Sequence, residues 1–141
     1  MFGDREQMRR YFVTAWQKYQ SKRPMEELEM TVGDVIAMHP EYHAMLEHDG
    51  DDAIDREFDV EDGQTNPFLH MGMHISICEQ ISTDRPPGVR DLHQTLCQNH
   101  GDRHTAEHRM MDCLGEVLWR SQREGQAPDE QHYLECVRQL L

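Results

Sequence analysis

Apolar residues recur at intervals of three and four along most of this chain, and no segment alternates apolar and polar residues as a half-buried strand does. An example is the stripe formed by Met8, Phe12, Ala15, Trp16 and Tyr19. A period near 3.6 residues places such a stripe on one face of an α-helix. The length of 141 residues gives room for one domain with a real core. The sequence therefore predicts a single all-α domain over residues 1–141.

Start and stop signals divide this pattern into separate helices. Asn66 is a preferred N-cap and Pro67 fits the first helical position, so we expect a helix from Pro67 to about Ser82. Pro40 interrupts the second apolar stripe and predicts a kink or a restart there. Residues 47–63 are rich in Asp and Glu and are interpreted as an acidic connecting loop. The predicted architecture is a helical bundle of four long helices with two shorter ones attached.

The charge of the chain excludes some classes of partner. Asp and Glu total 27 against 14 for Lys and Arg, which gives a formal net charge of −13. A nucleic-acid duplex and an anionic membrane both need a basic footprint, so neither is expected as the main partner. The first ten residues contain no apolar signal-peptide core, and no stretch approaches the roughly 18 consecutive apolar residues of a membrane span. We therefore expect a cytoplasmic protein.

The four cysteines lie far apart in the sequence and form no C-x-x-C pair. They are Cys78, Cys97, Cys113 and Cys136. In a reducing cytosol, cysteines of this kind are mostly small buried hydrophobic side chains. Neither a disulfide framework nor a zinc knuckle is therefore expected.

Histidine is frequent, with 10 residues, and its placement follows a pattern. The spacing H-x-x-x-H occurs once on each of three predicted helices, at His39/His43, His70/His74 and His104/His108. Residues four apart lie on the same face of a helix, so each pair can offer two imidazoles to one metal ion. Each pair also lies on the predicted apolar face of its helix. Because six imidazoles left without partners in a core would cost roughly 1–3 kcal/mol each, the sequence predicts a metal site.

The predicted donor set favours a non-haem di-iron centre, with zinc as the second choice. Imidazole suits both metals, and five or six histidines with one or two carboxylates are enough to hold two irons. Three histidines with an open position would instead suit a single zinc or nickel ion. The carboxylates near the histidine faces are Glu41, Glu47, Glu107, Asp112 and Glu116, and either Glu107 or Glu116 is expected to serve as a carboxylate ligand or as a base. Such a centre predicts oxygen or redox sensing, or metal-assisted hydrolysis.

The segment "HTAEH", from His104 to His108, adds a catalytic hypothesis. It matches the H-x-x-E-H pattern of inverted zinc proteases, in which the Glu is the general base. Those enzymes take a third ligand far downstream, whereas only residues 109–141 follow this motif, so the match is weak. Glu107 nevertheless remains a candidate base that acts on a metal-bound water.

A second interpretation is a non-enzymatic interaction module. In this interpretation the histidines are ordinary core or surface residues, and the acidic loop over 47–63 docks a basic partner. Colour in the purified protein, or loss of helicity on adding a chelator, would favour the metal site instead.

Four segments carry a resemblance to a known family. The segments "HPEYH", "GQTNPFLHMGMH", "DRPPG" and "EHRMMDCLGE" together resemble a proteobacterial family catalogued as domain of unknown function 1841. The resemblance extends from the Trp16 helix to "YLEC" at 133–136, and it implies a bacterial cytoplasmic protein without assigning an activity. By architecture alone, the predicted bundle looks like hemerythrins and the DinB-like metal bundles. Hemerythrins mix H-x-x-x-E with H-x-x-x-H, whereas this chain repeats H-x-x-x-H, so the likeness does not imply oxygen carriage.

Overall fold

The regular structure of this protein is helical wherever it is described. The computed structural model describes residues 5–48, 53, 54, 56, 58 and 66–141. Its helices are α1 (Arg5–Gln20), α2 (Glu27–Ala37), a 3-10 helix (Pro40–Tyr42), α3 (His43–His48), α4 (Pro67–Thr83), α5 (Val89–His100), α6 (Arg103–Glu124) and α7 (Glu130–Gln139). The predicted all-α class is confirmed. Among the described helices, none combines the length and the apolar character needed to cross a membrane.

Two helix boundaries predicted from Asn and Pro residues are confirmed. Asn66 caps α4, because its Oδ1 accepts hydrogen bonds from the backbone N–H groups of Phe68 at 3.0 Å and Leu69 at 3.3 Å. Pro67 is the first residue of that helix. At Pro40 the second apolar stripe is interrupted: α2 has ended, and the chain continues through the 3-10 helix into α3. A proline ring cannot continue an α-helix, so the break follows directly from the sequence.

The chain divides into two compact units, Met1–Gly72 and Met73–Leu141, named unit 1 and unit 2 below. The helix α4 begins in unit 1 and ends in unit 2. The single-domain organisation expected from the length stays a prediction. Most of the acidic segment 47–63 falls outside the described residues, and the docking role predicted for it falls outside them as well.

Unit 1 is built on close packing of α1 and α2. Its buried apolar side chains include Phe12, Ala15, Trp16, Val32, Val35, Ile36, Leu46 and Phe68. The ring of Tyr19 occupies the space that a Cβ atom at Gly33 would need, so the two helices approach closely only because residue 33 lacks a side chain. The guanidinium of Arg9 is buried and donates to the backbone carbonyls of Ala53 and Ile54.

Unit 2 contains one apolar cluster, to which α4, α5, α6 and α7 contribute. Its buried members are Ile77, Val89, Leu96, Ala106, Met110, Met111, Cys113, Val117, Tyr133, Leu134 and Val137. The hydroxyl of Tyr133 also donates to Gln80 Oε1 at 2.6 Å, which fixes α7 to α4. A disulfide joins Cys113 on α6 to Cys136 on α7, with their Cα atoms 5.8 Å apart. The sequence predicted unpaired thiols at these positions; the packing of α6 against α7 brings the two together.

A two-residue turn between α5 and α6 positions the polar residues of unit 2. Gly101 ends α5 with a φ of 67°, a left-handed conformation that glycine adopts without strain. Asp102 then caps α6, because its carboxylate accepts hydrogen bonds from the backbone N–H groups of His104 and Thr105. The sharp turn places side chains of α5 beside the first two turns of α6.

Candidate metal centre

Glu107 lies at the centre of a buried polar cluster in unit 2. It belongs to α6, and its side chain is 0% exposed. Its Oε1 lies 2.7 Å from Nε2 of His74 on α4. Its Oε2 lies 2.8 Å from Nε2 of His93 on α5 and accepts a hydrogen bond of 2.5 Å from Nε of Arg103. Three helices therefore converge on one carboxylate.

These contacts fix the charge of the Glu107 carboxyl group. Burial alone would raise the pKa of this group, because a low-dielectric interior disfavours the charged form. The hydrogen bonds from His74, His93 and Arg103, together with the positive charge of Arg103, outweigh burial and hold the pKa of Glu107 far below its usual range. Glu107 is therefore an anion at neutral pH.

Three side chains of unit 2 form a group with the composition and spacing of a metal site. The ligand atoms that His74, Cys78 and Glu107 can offer all lie within 4.8 Å of one another. His74 and Glu107 are fully buried, and Cys78 is half-buried. Imidazole, thiolate and carboxylate groups all bind zinc and iron. Ligands at about 2.0–2.3 Å from one ion lie within roughly 4.6 Å of each other, so the group needs little rearrangement to share an ion.

The histidine pair of α6 lies beside this group. The ring centroid of His74 is 5.9 Å from that of His104 and 5.3 Å from that of His108. The rings of His104 and His108 are 4.1 Å apart. Unit 2 thus brings together three of the six histidines that the sequence predicted as ligands.

Unit 1 brings together two others. The rings of His39 and His70 meet edge to face, with their centroids 4.9 Å apart. His39 is fully buried, and its Nδ1 lies 2.9 Å from Oε1 of Glu41. A carboxylate on one ring nitrogen commonly orients a metal-binding histidine, whose other nitrogen faces the ion. The sixth, His43, uses its Nε2 to bond the carbonyl of Ile36 at 2.7 Å, which occupies one of its two ring nitrogens.

Glu116, the second predicted carboxylate ligand, lies further along α6. Its Oε1 is 3.3 Å from Nη2 of Arg120 and 3.7 Å from Nε2 of His132 on α7, and its side chain is 45% exposed. Its role as a metal ligand stays a prediction.

The sequence interpretation missed three residues of the unit 2 cluster, Cys78, His93 and Arg103. The signal for two of them was a second spacing pattern, H-x-x-x-C, which occurs at His74/Cys78 and at His93/Cys97. In the second pair, Cys97 Sγ lies 3.4 Å from His93 Nε2. A search for paired histidines alone does not detect such pairs. For Arg103 the signal was its position one helical turn before the predicted base, where a cation can pair with a carboxylate.

Comparison with known protein families gives a match over nearly the whole chain. Residues 4–139 match the sequence profile of a family described as Domain of unknown function (DUF1841). No curated protein and no solved structure matches the chain. The family description assigns no activity, so the function has to be argued from the geometry of the site.

Proposed function

The chain belongs to the DUF1841 family, and we propose that it is a metal-binding protein whose centre lies in unit 2. The proposed ligands are His74, Cys78 and Glu107, with His104 and His108 near enough to complete the coordination. From the sequence resemblance we further propose that the protein works in the bacterial cytoplasm.

The proposal is carried by the convergence of three ligand types in the core of unit 2, with all their ligand atoms within 4.8 Å. A single buried histidine is normally satisfied by hydrogen bonds to its two ring nitrogens. Here the imidazoles of His74, His104 and His108 crowd together with ring centroids 4.1–5.9 Å apart, and a fourth imidazole, from His93, contacts the same carboxylate as His74. Neighbouring imidazoles stabilise each other little, whereas a shared cation would stabilise all of them.

We propose the ligand role for Glu107 in preference to the role of general base. Both of its oxygens accept hydrogen bonds, and its pKa is held far below the usual range of a carboxyl group. A general base works best with a pKa near the working pH, so such a carboxylate is a weak proton acceptor. The same negative charge makes it a good ligand for a metal ion.

Non-haem iron is the first metal that we propose, and zinc is the second. Iron accepts sites rich in histidine with a carboxylate, and two irons per chain require the His39 and His70 pair of unit 1 to bind as well. Zinc accepts the imidazole, thiolate and carboxylate set of unit 2. Iron would support oxygen or redox sensing, whereas zinc would lower the pKa of a bound water for hydrolysis.

A second candidate function is the non-enzymatic interaction module. It is favoured by the observation that Glu107 already has three hydrogen-bonding partners within unit 2. A carboxylate satisfied in this way needs no ion to remain buried. Metal content therefore decides between the two candidates.

The test is elemental analysis of untagged protein that has been reconstituted with excess iron and zinc and then desalted. Wild type is compared with His74→Ala and with His100→Ala, a matched control because His100 is an exposed histidine on α5. We expect at least about one metal ion per chain in wild type and in His100→Ala. We expect His74→Ala to hold about one ion per chain fewer. A separate His39→Ala variant shows whether unit 1 binds an ion of its own.

The outcomes separate the candidates. If wild type binds iron and His74→Ala loses it, the result supports the proposed iron centre and directs further work toward oxygen and peroxide chemistry. If the metal lost in His74→Ala is zinc, the result supports a zinc centre for hydrolysis. Equal metal content in wild type and His74→Ala, or no metal at all, overturns the proposal and leaves the interaction module.

A further inference from the structure

Arg103 is the cationic partner of Glu107, one of the proposed metal ligands. Its Nε donates to Oε2 of Glu107 at 2.5 Å. That hydrogen bond is the main reason why the pKa of Arg103 is raised; burial opposes it, and interaction with Cys78 raises it further. The guanidinium of Arg103 therefore pairs with the carboxylate of the group His74, Cys78 and Glu107.

The charge of Glu107 is balanced in this arrangement without any ion. Glu107 carries one negative charge, and the guanidinium of Arg103, which stays protonated in proteins, carries one positive charge. A divalent ion bound to Glu107 would place two more positive charges within a few ångströms of Arg103. Like charges repel strongly at that distance, because a partly buried site screens them poorly. The guanidinium and a divalent ion therefore compete for one carboxylate.

The position of Arg103 makes its departure inexpensive. Its side chain is 60% exposed, whereas that of Glu107 is 0% exposed. Arg103 is also the first residue of α6, where the partial positive charge of the helix N-terminus disfavours a cation. Rotation about its side-chain bonds brings the guanidinium into water and leaves the backbone in place.

We propose that Arg103 is the counter-ion of Glu107 in the metal-free protein and leaves the carboxylate when a divalent metal ion binds. This inference rests on the proposed metal-binding function of unit 2. It gives Arg103 two opposite effects: the residue stabilises the metal-free protein and weakens metal binding. A residue that only held Glu107 in place for the metal would strengthen binding instead.

The test compares Arg103→Gln with Arg109→Gln in the full-length chain. Arg109 is an exposed residue on the same helix, so its replacement makes the same change in net charge away from Glu107. Zn²⁺ and Fe²⁺ affinities are measured by competition with a chromophoric chelator, and the Tm is measured after metal has been removed. We expect Arg103→Gln to bind Zn²⁺ about tenfold more tightly than Arg109→Gln and to have a Tm about 3 °C lower when metal-free. Arg103→Lys keeps the charge, so we expect its affinity to stay within about threefold of wild type.

Zinc binding by Arg103→Gln that is equal to or weaker than that of Arg109→Gln overturns the counter-ion role and leaves the metal proposal standing. The counter-ion role is also overturned if Arg103→Lys binds Zn²⁺ as tightly as Arg103→Gln does, because the positive charge at residue 103 would then not be what weakens metal binding in wild type. Failure of wild type and every variant to bind Zn²⁺ or Fe²⁺ overturns both proposals.

Discussion

Glu107 is the residue on which the buried polar cluster of unit 2 depends. A buried ion pair contributes little net stability when it forms, but removing one partner leaves the other groups buried without compensation. His74 is fully buried and cannot turn to water, whereas Arg103 can. Loss of the carboxylate therefore lowers the free energy of unfolding mainly because His74 and His93 lose their hydrogen-bond acceptor.

We predict that Glu107→Gln lowers the free energy of unfolding of the metal-free protein by roughly 3 kcal/mol or more. One of the two carboxylate oxygens becomes an amide nitrogen, which cannot accept the hydrogen bond made there to His74 or to His93, and the buried His74 cannot turn to water instead. Urea unfolding followed by circular dichroism measures the effect. Glu116→Gln is the matched control, since this residue lies on the same helix and is 45% exposed, and its cost should be below about 1 kcal/mol. Similar losses in the two variants would contradict the prediction.

Helical spacing predicted part of this site because it determines which residues of one helix share a face. His104 and Glu107 were identified in this way. Spacing does not determine which faces of different helices meet, so it did not predict that His93 contacts Glu107. The pair His39/His43 shows a second limit, because the rule holds only within a continuous α-helix. The 3-10 helix begins directly after His39 and His43 begins α3, so the two are not one turn apart on a single helix.

At the scale of the helix, the contact between α1 and α2 depends on Gly33. We predict that Gly33→Ala destabilises the protein by about 1–2 kcal/mol, because a Cβ atom there would collide with the ring of Tyr19 and outweigh the gain in helix propensity. Gly72→Ala is the matched control, since, apart from its chain neighbours and the backbone of its own helix, no described atom lies within 4 Å of the added Cβ. This second variant should be more stable than wild type by up to about 1 kcal/mol. Thermal unfolding of both variants checks the prediction, and stabilisation by Gly33→Ala would refute it.

A second prediction at this scale concerns the disulfide between α6 and α7. It closes a loop between residues 23 apart in sequence, for which the loss of chain entropy predicts a stabilisation of roughly 3 kcal/mol. We therefore expect dithiothreitol to lower the Tm of wild type and to leave that of Cys136→Ser unchanged. Alkylation and mass spectrometry of the unfolded protein should find two cysteines outside the disulfide before reduction, Cys78 and Cys97, and four reactive cysteines after it. Four free thiols without reductant would show that the bond is absent in solution.

Individual helices were more predictable than their pairing. The start of α4 and the break at Pro40 follow from local chemistry, because a cap or a proline acts on its own turn. The disulfide does not follow from local chemistry: its two cysteines meet only because α6 and α7 pack together. The sequence contains the thiols but no local signal of which helices become neighbours.

For the whole molecule, the dominant physical fact is its formal net charge of −13. Charges of one sign repel more strongly in the compact state than in the unfolded chain, and salt screens this repulsion. We predict that raising NaCl from about 10 mM to about 200 mM at pH 7 increases the Tm. The increase should shrink near the pI of about 5.0, where the net charge vanishes. A Tm that falls with salt at pH 7 would mean that ion pairs outweigh the net repulsion.

The proposed ligands lie on α4 and α6, and His74 and Glu107 are 33 residues apart. The entropy cost of closing a chain segment grows only with the logarithm of its length, and contacts between residues near in sequence tend to form early. The last helix, α7, supplies none of the proposed ligands. Because a ribosome releases the chain from its N-terminus, all of these donors emerge before α7 does. With the proposed ligand set, a metal ion would act as a template on which unit 2 folds during synthesis, rather than as a cargo loaded into the finished protein.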